Sequence, residues 1–487
     1  MTKDAASRTN RLLVALWFVE GSALLLALAL YKRGNHPLAA FVRSPAGAEL
    51  IAAAIALAAS AVWVGLVARR DRAQIAPSLA LNLASIALAA SAAELTIRLF
   101  AVETPDGPSF ANTRLLPRSW DATAARNRST LARAAAEGSF LVADPELGWT
   151  IAPNRTSGDY NLDFVRRVLA QRRAECAGGA PAAPRPAEET RDREIYQSSA
   201  EGLRSARAGT ALAREPARRR IALVGDSFTF GLEVRYDQTW GQELARILGD
   251  GTQVLNFGVD GYGVDQAVLR YRRDVVAWKP DLVILGIIHD DFRRALCVYG
   301  FLCFPGSEIP FAKPRFVSDA EKPINTPLPA PDAIFAHDSI AELPFVELDP
   351  AFGQRSDWDE RFYHRSYAIR YVISRFPRYP EPSPALSDEA MKSLVAGLVG
   401  SFLRDAHAHG SRALVVFLPS HVSICGRESS RTSHIATEAF APAGIPFVDL
   451  TQCVDRVAPE ERFVALHYSA ATNAAITRCL ADEIRSG

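Results

Sequence analysis

The chain has 487 residues, a formal net charge of +1, and 48% hydrophobic against 22% charged residues. That length suits about three domains, and a balanced charge with no basic block excludes a nucleic-acid-binding protein. The six cysteines all lie between Cys176 and Cys479, an even number in the later part of the chain, which suits disulfides in an oxidising compartment.

The first hundred residues are strongly apolar. Three stretches, at about 12–31, 50–68 and 79–97, approach the roughly 20 residues a bilayer-crossing helix needs. Lys3, Arg8, Arg11, Arg69, Arg70 and Arg72 outnumber Lys32, Arg33 and Arg43, so the N-terminus is expected in the cytoplasm and everything after about residue 100 across the membrane. Glu20 and Glu94 fall inside these stretches and are expected to face each other, or Arg98, within a small bundle.

Residues 101–219 read as a lead-in. They contain Asp144-Pro145-Glu146-Leu147-Gly148-Trp149 with Pro153-Asn154, then a disorder-prone stretch at about 174–189, then Ser198-Ser199-Ala200-Glu201-Gly202-Leu203-Arg204. From residue 220 strands alternate with helices. The strands are expected at Ile221–Val224, Val254–Phe257, Leu282–Ile288, Ala413–Leu418 and Pro446–Leu450. Helices are expected at Gln238–Leu248, Asp265–Trp278 and from Ser387 to Gly410. This rhythm predicts an α/β domain with a parallel sheet covered on both faces. It breaks at 293–385, an insertion with Pro-rich ends, placed to cap the carboxyl edge of the sheet or to dock a partner.

The chemistry-bearing residues sit at strand ends, where open α/β sheets bind ligands. The first strand runs into Gly225-Asp226-Ser227, with Gly231 four residues further on. A serine so placed is a nucleophile if a base reaches it, or simply a helix N-cap. The second strand ends Asn256-Phe257-Gly258-Val259-Asp260-Gly261-Tyr262-Gly263, whose glycines let backbone N–H groups face a ligand. The third ends Gly286-Ile287-Ile288-His289-Asp290, where Asp290 reads as a buttress of the loop or a turn residue. His467 lies late, in Leu466-His467-Tyr468-Ser469, with His421 in reserve.

These blocks resemble the SGNH/GDSL hydrolase superfamily in its bacterial, cell-envelope form, over the chain from Asp144 to its end. The resemblance implies a flavodoxin-like, three-layer α/β hydrolase domain with a parallel sheet over 220–487, preceded here by an all-α transmembrane region over 1–100. It implies Ser227 as nucleophile and His467 as base. The oxyanion hole would comprise Ser227, Gly261 and His289, the last standing where Asn is usual, with Asp226, Asn256 and Asp290 in support. The family writes an Asp two or three residues before the histidine, but Ala465 and Val464 stand there. Three readings remain open: a backbone carbonyl orients His467, or another acid, such as Asp449 or Asp455, reaches it in space, or the site is impaired. No cofactor or metal is implied. The function implied is a membrane-anchored, extracytoplasmic serine esterase acting on ester-linked acyl groups, in the periplasm at the inner membrane of a bacterium. The alternatives are an acyltransferase modifying envelope polysaccharide, and a catalytically impaired glycan-binding or scaffold protein. The partners implied are the membrane, an ester or acylated glycan, and an envelope protein.

Overall fold

The structure, a computed structural model, describes residues 75–157, 196–420 and 432–486 apart from short breaks, the longest at 376–385, together with scattered positions before residue 75. The chain divides into two compact units. One comprises residues 123–352 and 384–487; the other comprises residues up to 122 and 353–383.

The first unit is built on five strands: β1 (Arg219–Val224), β2 (Thr252–Asn256), β3 (Leu282–Ile287), β4 (Arg412–Phe417) and β5 (Val448–Asp449). All neighbours pair in parallel, in the order β2-β1-β3-β4-β5. This is the flavodoxin-like doubly wound order, whose ligand crevice lies at the β1/β3 switch point. The three central strands β1, β3 and β4 are apolar beyond the opening arginines of β1 and β4 because both faces are covered. On one face Ala222, Val224, Val283, Leu285 and Ile287 pack against α3 (Val264–Arg270) and α5 (Asp388–Ala408). On the other, Ile221, Leu223, Leu282 and Ile284 pack against α2 (Trp240–Leu248) and α7 (Ala470–Ser486). The period of two along each strand thus separates two cores. Short helices α1 (Ser227–Phe230) and α4 (His289–Arg294) follow β1 and β3, and α6 (Thr432–Phe440) precedes β5. Disulfides join Cys297 to Cys303 and Cys453 to Cys479. Cys176, Cys425, His421 and the stretch at 174–189 lie outside the described residues.

Part of the lead-in belongs to this unit. Leu141–Asp144 and Gly148–Ile151 form a hairpin, and Thr156–Ser157, Tyr196–Ser198 and Arg204–Ser205 form a small antiparallel sheet. Their apolar side chains, Leu147, Trp149, Ile151 and Tyr196, share a third core with Phe230, Leu232, Val259 and Tyr262 from the loops after β1 and β2.

The second unit holds a helix over Ile75–Phe100, a three-stranded antiparallel sheet over 102–114, and a helix over Tyr367–Arg375. Here the membrane-spanning expectation is corrected. Among the described residues no helix is long and apolar enough to cross a membrane. The stretches expected at 12–31 and 50–68, with Glu20, fall almost wholly outside the described residues. The third, at 79–97, lies on helix 75–100, whose last turns are polar for a structural reason. Glu94 bonds Arg98 and accepts from Ser366 Oγ (2.7 Å) and from the N–H groups of Tyr367 (3.0 Å) and Ala368 (2.8 Å). It caps the helix over 367–375. Burial pushes its carboxyl up, but these donors outweigh that and hold it at about 2.

Candidate active site

Four loops at the carboxyl edge of the sheet meet around Ser227. The turn after β1 needs glycine at 225: its φ is +155°, and a Cβ there would collide with Thr229 Oγ1 and lie 2.6 Å from the Gly286 carbonyl oxygen. Asp226 caps α1, accepting from the Phe228 N–H at 2.9 Å. Ser227 is thereby held at the start of the helix, 2% exposed. Gly231, in the left-handed region at φ +84°, ends the helix.

His467 arrives from the loop before α7. Its Nε2 lies 2.9 Å from Ser227 Oγ. Its Nδ1 lies 3.0 Å from Glu233 Oε1. The second carboxylate oxygen accepts from the backbone N–H groups of Leu466 (3.0 Å) and His467 (3.1 Å). A carboxylate only accepts, so Nδ1 carries the proton in the neutral ring and Nε2 is free to accept from the serine hydroxyl. Burial pushes the His467 imidazole down, but the Glu233 carboxylate, aided by Asp260 and Asp226, outweighs it and the net shift is upward.

Glu233, and not a residue at 464 or 465, places a carboxylate against His467 Nδ1. Asp449 does not fill the role, since it bonds the N–H and hydroxyl of Thr451, and Asp455 pairs with Arg462. Glu233 has φ +68°, which is uncommon for a residue with a Cβ. Two contacts from the lead-in hold it there. Its N–H donates to Tyr196 Oη at 2.8 Å, and the fully buried Arg204 donates to the Val234 carbonyl at 2.9 Å. Arg204 itself lies between the rings of Tyr196 and Phe230, at 4.6 and 4.7 Å. The sequence signal was a single ionisable residue closing the apolar run Phe228-Thr229-Phe230-Gly231-Leu232.

Asn256 ties the loops after β1 and β2. Its Nδ2 donates to the Thr229 carbonyl (2.8 Å) and its Oδ1 accepts from the Gly258 N–H (2.9 Å). Gly261 is left-handed at φ +75°, with Ile309, Trp149 and Phe304 within 3.5 Å of where a Cβ would stand. The hairpin of the lead-in fixes this loop. Trp149 Nε1 donates to the Asp260 carbonyl (2.8 Å), and Tyr262 Oη donates to the Trp149 carbonyl (2.6 Å). After β3, the His289 ring is about a quarter exposed, at 27%. Its Nδ1 is 3.6 Å from Asp290 Oδ1 and has no hydrogen-bond partner among the described residues. The carboxylate of the next residue, Asp291, accepts from the Ile288 N–H at 3.0 Å.

A nucleophile, a base and an orienting acid in hydrogen-bonded sequence are the parts acyl transfer by serine requires. A family model described as GDSL-like lipase/acylhydrolase matches residues 221–326. No curated protein matches the chain in sequence. Solved structures with a similar chain path include Est24, a carbohydrate acetylesterase from Sinorhizobium meliloti, at 15% identity and TM-score 0.29 over 55% of this chain and 99% of that one. An inhibitor-bound aryl esterase from M. smegmatis is 14% identical, TM-score 0.29, over 55% and 99%. A catalytic mutant of Axe2, an acetylxylan esterase from Geobacillus stearothermophilus, is 13% identical, TM-score 0.30, over 56% and 96%.

Proposed function

The chain belongs to the SGNH/GDSL hydrolase superfamily and is a serine ester hydrolase of the GDSL type, and from that premise we propose that it cleaves ester-linked acyl groups through a Ser227–His467–Glu233 triad. The carrying observation is the unbroken hydrogen-bond sequence Ser227 Oγ to His467 Nε2 at 2.9 Å and His467 Nδ1 to Glu233 Oε1 at 3.0 Å.

In the first half-reaction Ser227 Oγ bonds to the acyl carbon while its proton passes to His467 Nε2. The carbonyl π pair moves onto oxygen. That oxyanion is held by the N–H groups of Ser227 and Gly261 and by a ring N–H of His289, each such donor being worth about 2.7–4 kcal/mol. The oxyanion then collapses, the alkoxy group departs, and the proton on Nε2 goes with it as the free alcohol. In the second half-reaction water gives a proton to Nε2 and its oxygen attacks the acyl-serine. Collapse releases the carboxylic acid and returns the proton to Ser227. Glu233 stabilises the imidazolium in each half without taking its proton.

The substrates of this reading are ester-linked acyl groups on an alcohol or a glycan, with water as acceptor. An extracytoplasmic site of action is supported by the two disulfides. The test is labelling of the full chain with a fluorophosphonate probe. We expect labelling of the wild type and none of Ser227→Ala or His467→Ala. A folded wild type that does not label, or a Ser227→Ala protein that labels as well, would refute the triad.

A further inference from the structure

The mechanism leaves unused a buried charge cluster that includes Asp226, the residue before the serine. Arg294, the last residue of α4, points a single nitrogen, Nη1, at three acceptors. They are Asp291 Oδ1 (2.8 Å), Asp226 Oδ2 (3.1 Å) and the Tyr262 carbonyl (3.2 Å). The side chains of Asp226 and Asp291 are essentially inaccessible, at 0% and 3%, and that of Arg294 is 14% exposed. Each carboxylate spends its other oxygen on the backbone of a site loop: Asp226 Oδ1 on the Phe228 N–H, Asp291 Oδ2 on the Ile288 N–H. The third acceptor is the carbonyl next to Gly261.

The three acceptors come from three different loops. Asp226 precedes the nucleophile, Tyr262 follows the oxyanion-hole glycine, and Asp291 caps the helix that His289 begins. We propose that Arg294 is a positioning residue for ester cleavage, joining through one nitrogen the three loops that present Ser227, Gly261 and His289. The inference rests on the triad reading above and adds the element that fixes the oxyanion donors relative to the nucleophile.

The electrostatics agree with the geometry. Two buried carboxylates face one guanidinium. Burial and the charge of Asp226 push the Asp291 carboxyl well above the usual range, and burial pushes Asp226 up against the opposing charges of Arg294 and His467. Burial pushes Arg294 down, but the charges of Asp291 and Asp226 outweigh it and the net shift is upward, so it stays charged. Without the guanidinium two carboxylates would be left buried together, which is strongly unfavourable.

Nη1 carries two N–H groups, so one of them is shared between two of the three acceptors; lysine, whose ammonium carries three N–H donors on one atom, is the replacement that keeps both the charge and a single donating atom. Hydrolysis of p-nitrophenyl acetate by the full chain tests this. We expect Arg294→Met to lower kcat by roughly 100-fold with KM within about threefold, as a misplacement on the order of 1 Å would do. Arg294→Lys should recover to within about tenfold of the wild type. Should Arg294→Met fail to fold, Asp291→Asn/Arg294→Met removes the uncompensated charge while keeping an acceptor for the Ile288 N–H, and kcat should still be low. A folded Arg294→Met or double variant with wild-type kcat, or a folded Arg294→Lys no better than Arg294→Met, would overturn the proposal. Loss of fluorophosphonate labelling in the wild type itself would instead overturn the triad.

Discussion

Replacing Glu233 by glutamine is the sharpest test of how His467 is oriented. The carboxylate accepts three N–H groups: His467 Nδ1 at 3.0 Å and the backbone N–H groups of Leu466 and His467 at 3.0 and 3.1 Å. An amide has one oxygen and one NH2, and only the oxygen accepts. If the oxygen keeps the two backbone donors, the NH2 faces Nδ1 and stabilises the tautomer protonated on Nε2. That ring donates towards Ser227 and cannot take its proton. The best-studied triad loses about 10⁴ in kcat to the equivalent change of tautomer. For Glu233→Gln we expect about 10³–10⁴, or roughly 4–5.5 kcal/mol at about 1.36 kcal/mol per tenfold. The pH profile carries a second signature. His467 lies above its ordinary 6.5 in the folded protein because Glu233 outweighs burial. Wild-type kcat/KM should therefore rise with pH through a value above 6.5, and in Glu233→Gln burial prevails and the acid limb moves lower. The same sign governs stability. A raised histidine contributes stability that is fully present below about 6.5 and lost as pH rises through the folded value, and Glu233→Gln removes that contribution. The assay is p-nitrophenyl acetate hydrolysis from about pH 5 to 9, with urea unfolding at the same pH values. A Glu233→Gln enzyme within about tenfold of wild type, or an unmoved acid limb, would refute the assignment of Glu233.

Three further outcomes follow from the same geometry. Gly261→Ala places a Cβ on a residue at φ +75° and 3.1 Å from Ile309 Cδ1. Left-handed backbone costs a residue with a Cβ about 1–2 kcal/mol, so urea unfolding should show that loss and kcat should fall; wild-type kcat would contradict the placing of this N–H. Trp149→Ala empties a fully buried ring site and should cost about 3–5 kcal/mol. Trp149→Phe keeps most of the packing but removes the indole donor to the Asp260 carbonyl, so it should cost about 1–3 kcal/mol and lower kcat more than it raises KM; a change in KM alone would count against a role in fixing the Gly261 loop. Cys453 and Cys479 are 26 residues apart, so chain entropy predicts about 3.5 kcal/mol lost in the double serine variant by urea unfolding; a loss under about 1 kcal/mol would show that the bridge does not constrain the unfolded chain.

The parallel sheet was legible because its central strands are short apolar runs, such as Leu282–Ile287, buried at every position and alternating with helical stretches. Ser227 and Gly261 were singled out by spacing within one short segment each, and their roles belong to the proposed mechanism. Glu233 was not, because its role depends on a left-handed backbone at a non-glycine residue and on a hydroxyl 37 positions upstream, at Tyr196. The resemblance also directed attention to 464 and 465, beside the histidine. Arg294 was hidden for a similar reason: its three acceptors come from three loops, and the residue itself lies in an ordinary-looking run, Asp290-Asp291-Phe292-Arg293-Arg294. The membrane reading of 79–97 failed at Glu94, whose partners at 366–368 lie more than 270 positions away.

Moving the acid from the histidine loop to the serine loop changes what must be held still. Ser227 and Glu233 are six residues apart on one turn, closed by the Leu232 N–H on the Ser227 carbonyl at 3.1 Å. Nucleophile and acid therefore form one body, and Tyr196 and Arg204 brace it from the lead-in. His467 is the separate piece, inserted between two fixed partners by a short loop. That loop is kept by the Val464 N–H on the His467 carbonyl (3.0 Å) and by Tyr468 Oη on the Pro419 carbonyl (2.6 Å). Any shift of this loop changes both imidazole hydrogen bonds at once. A triad with its acid beside the histidine would instead let base and acid move together and break only the contact to serine. In the proposed triad, catalysis and the orientation of the base are thus coupled to one loop, and the lead-in segment is the brace that gives the loop a fixed target.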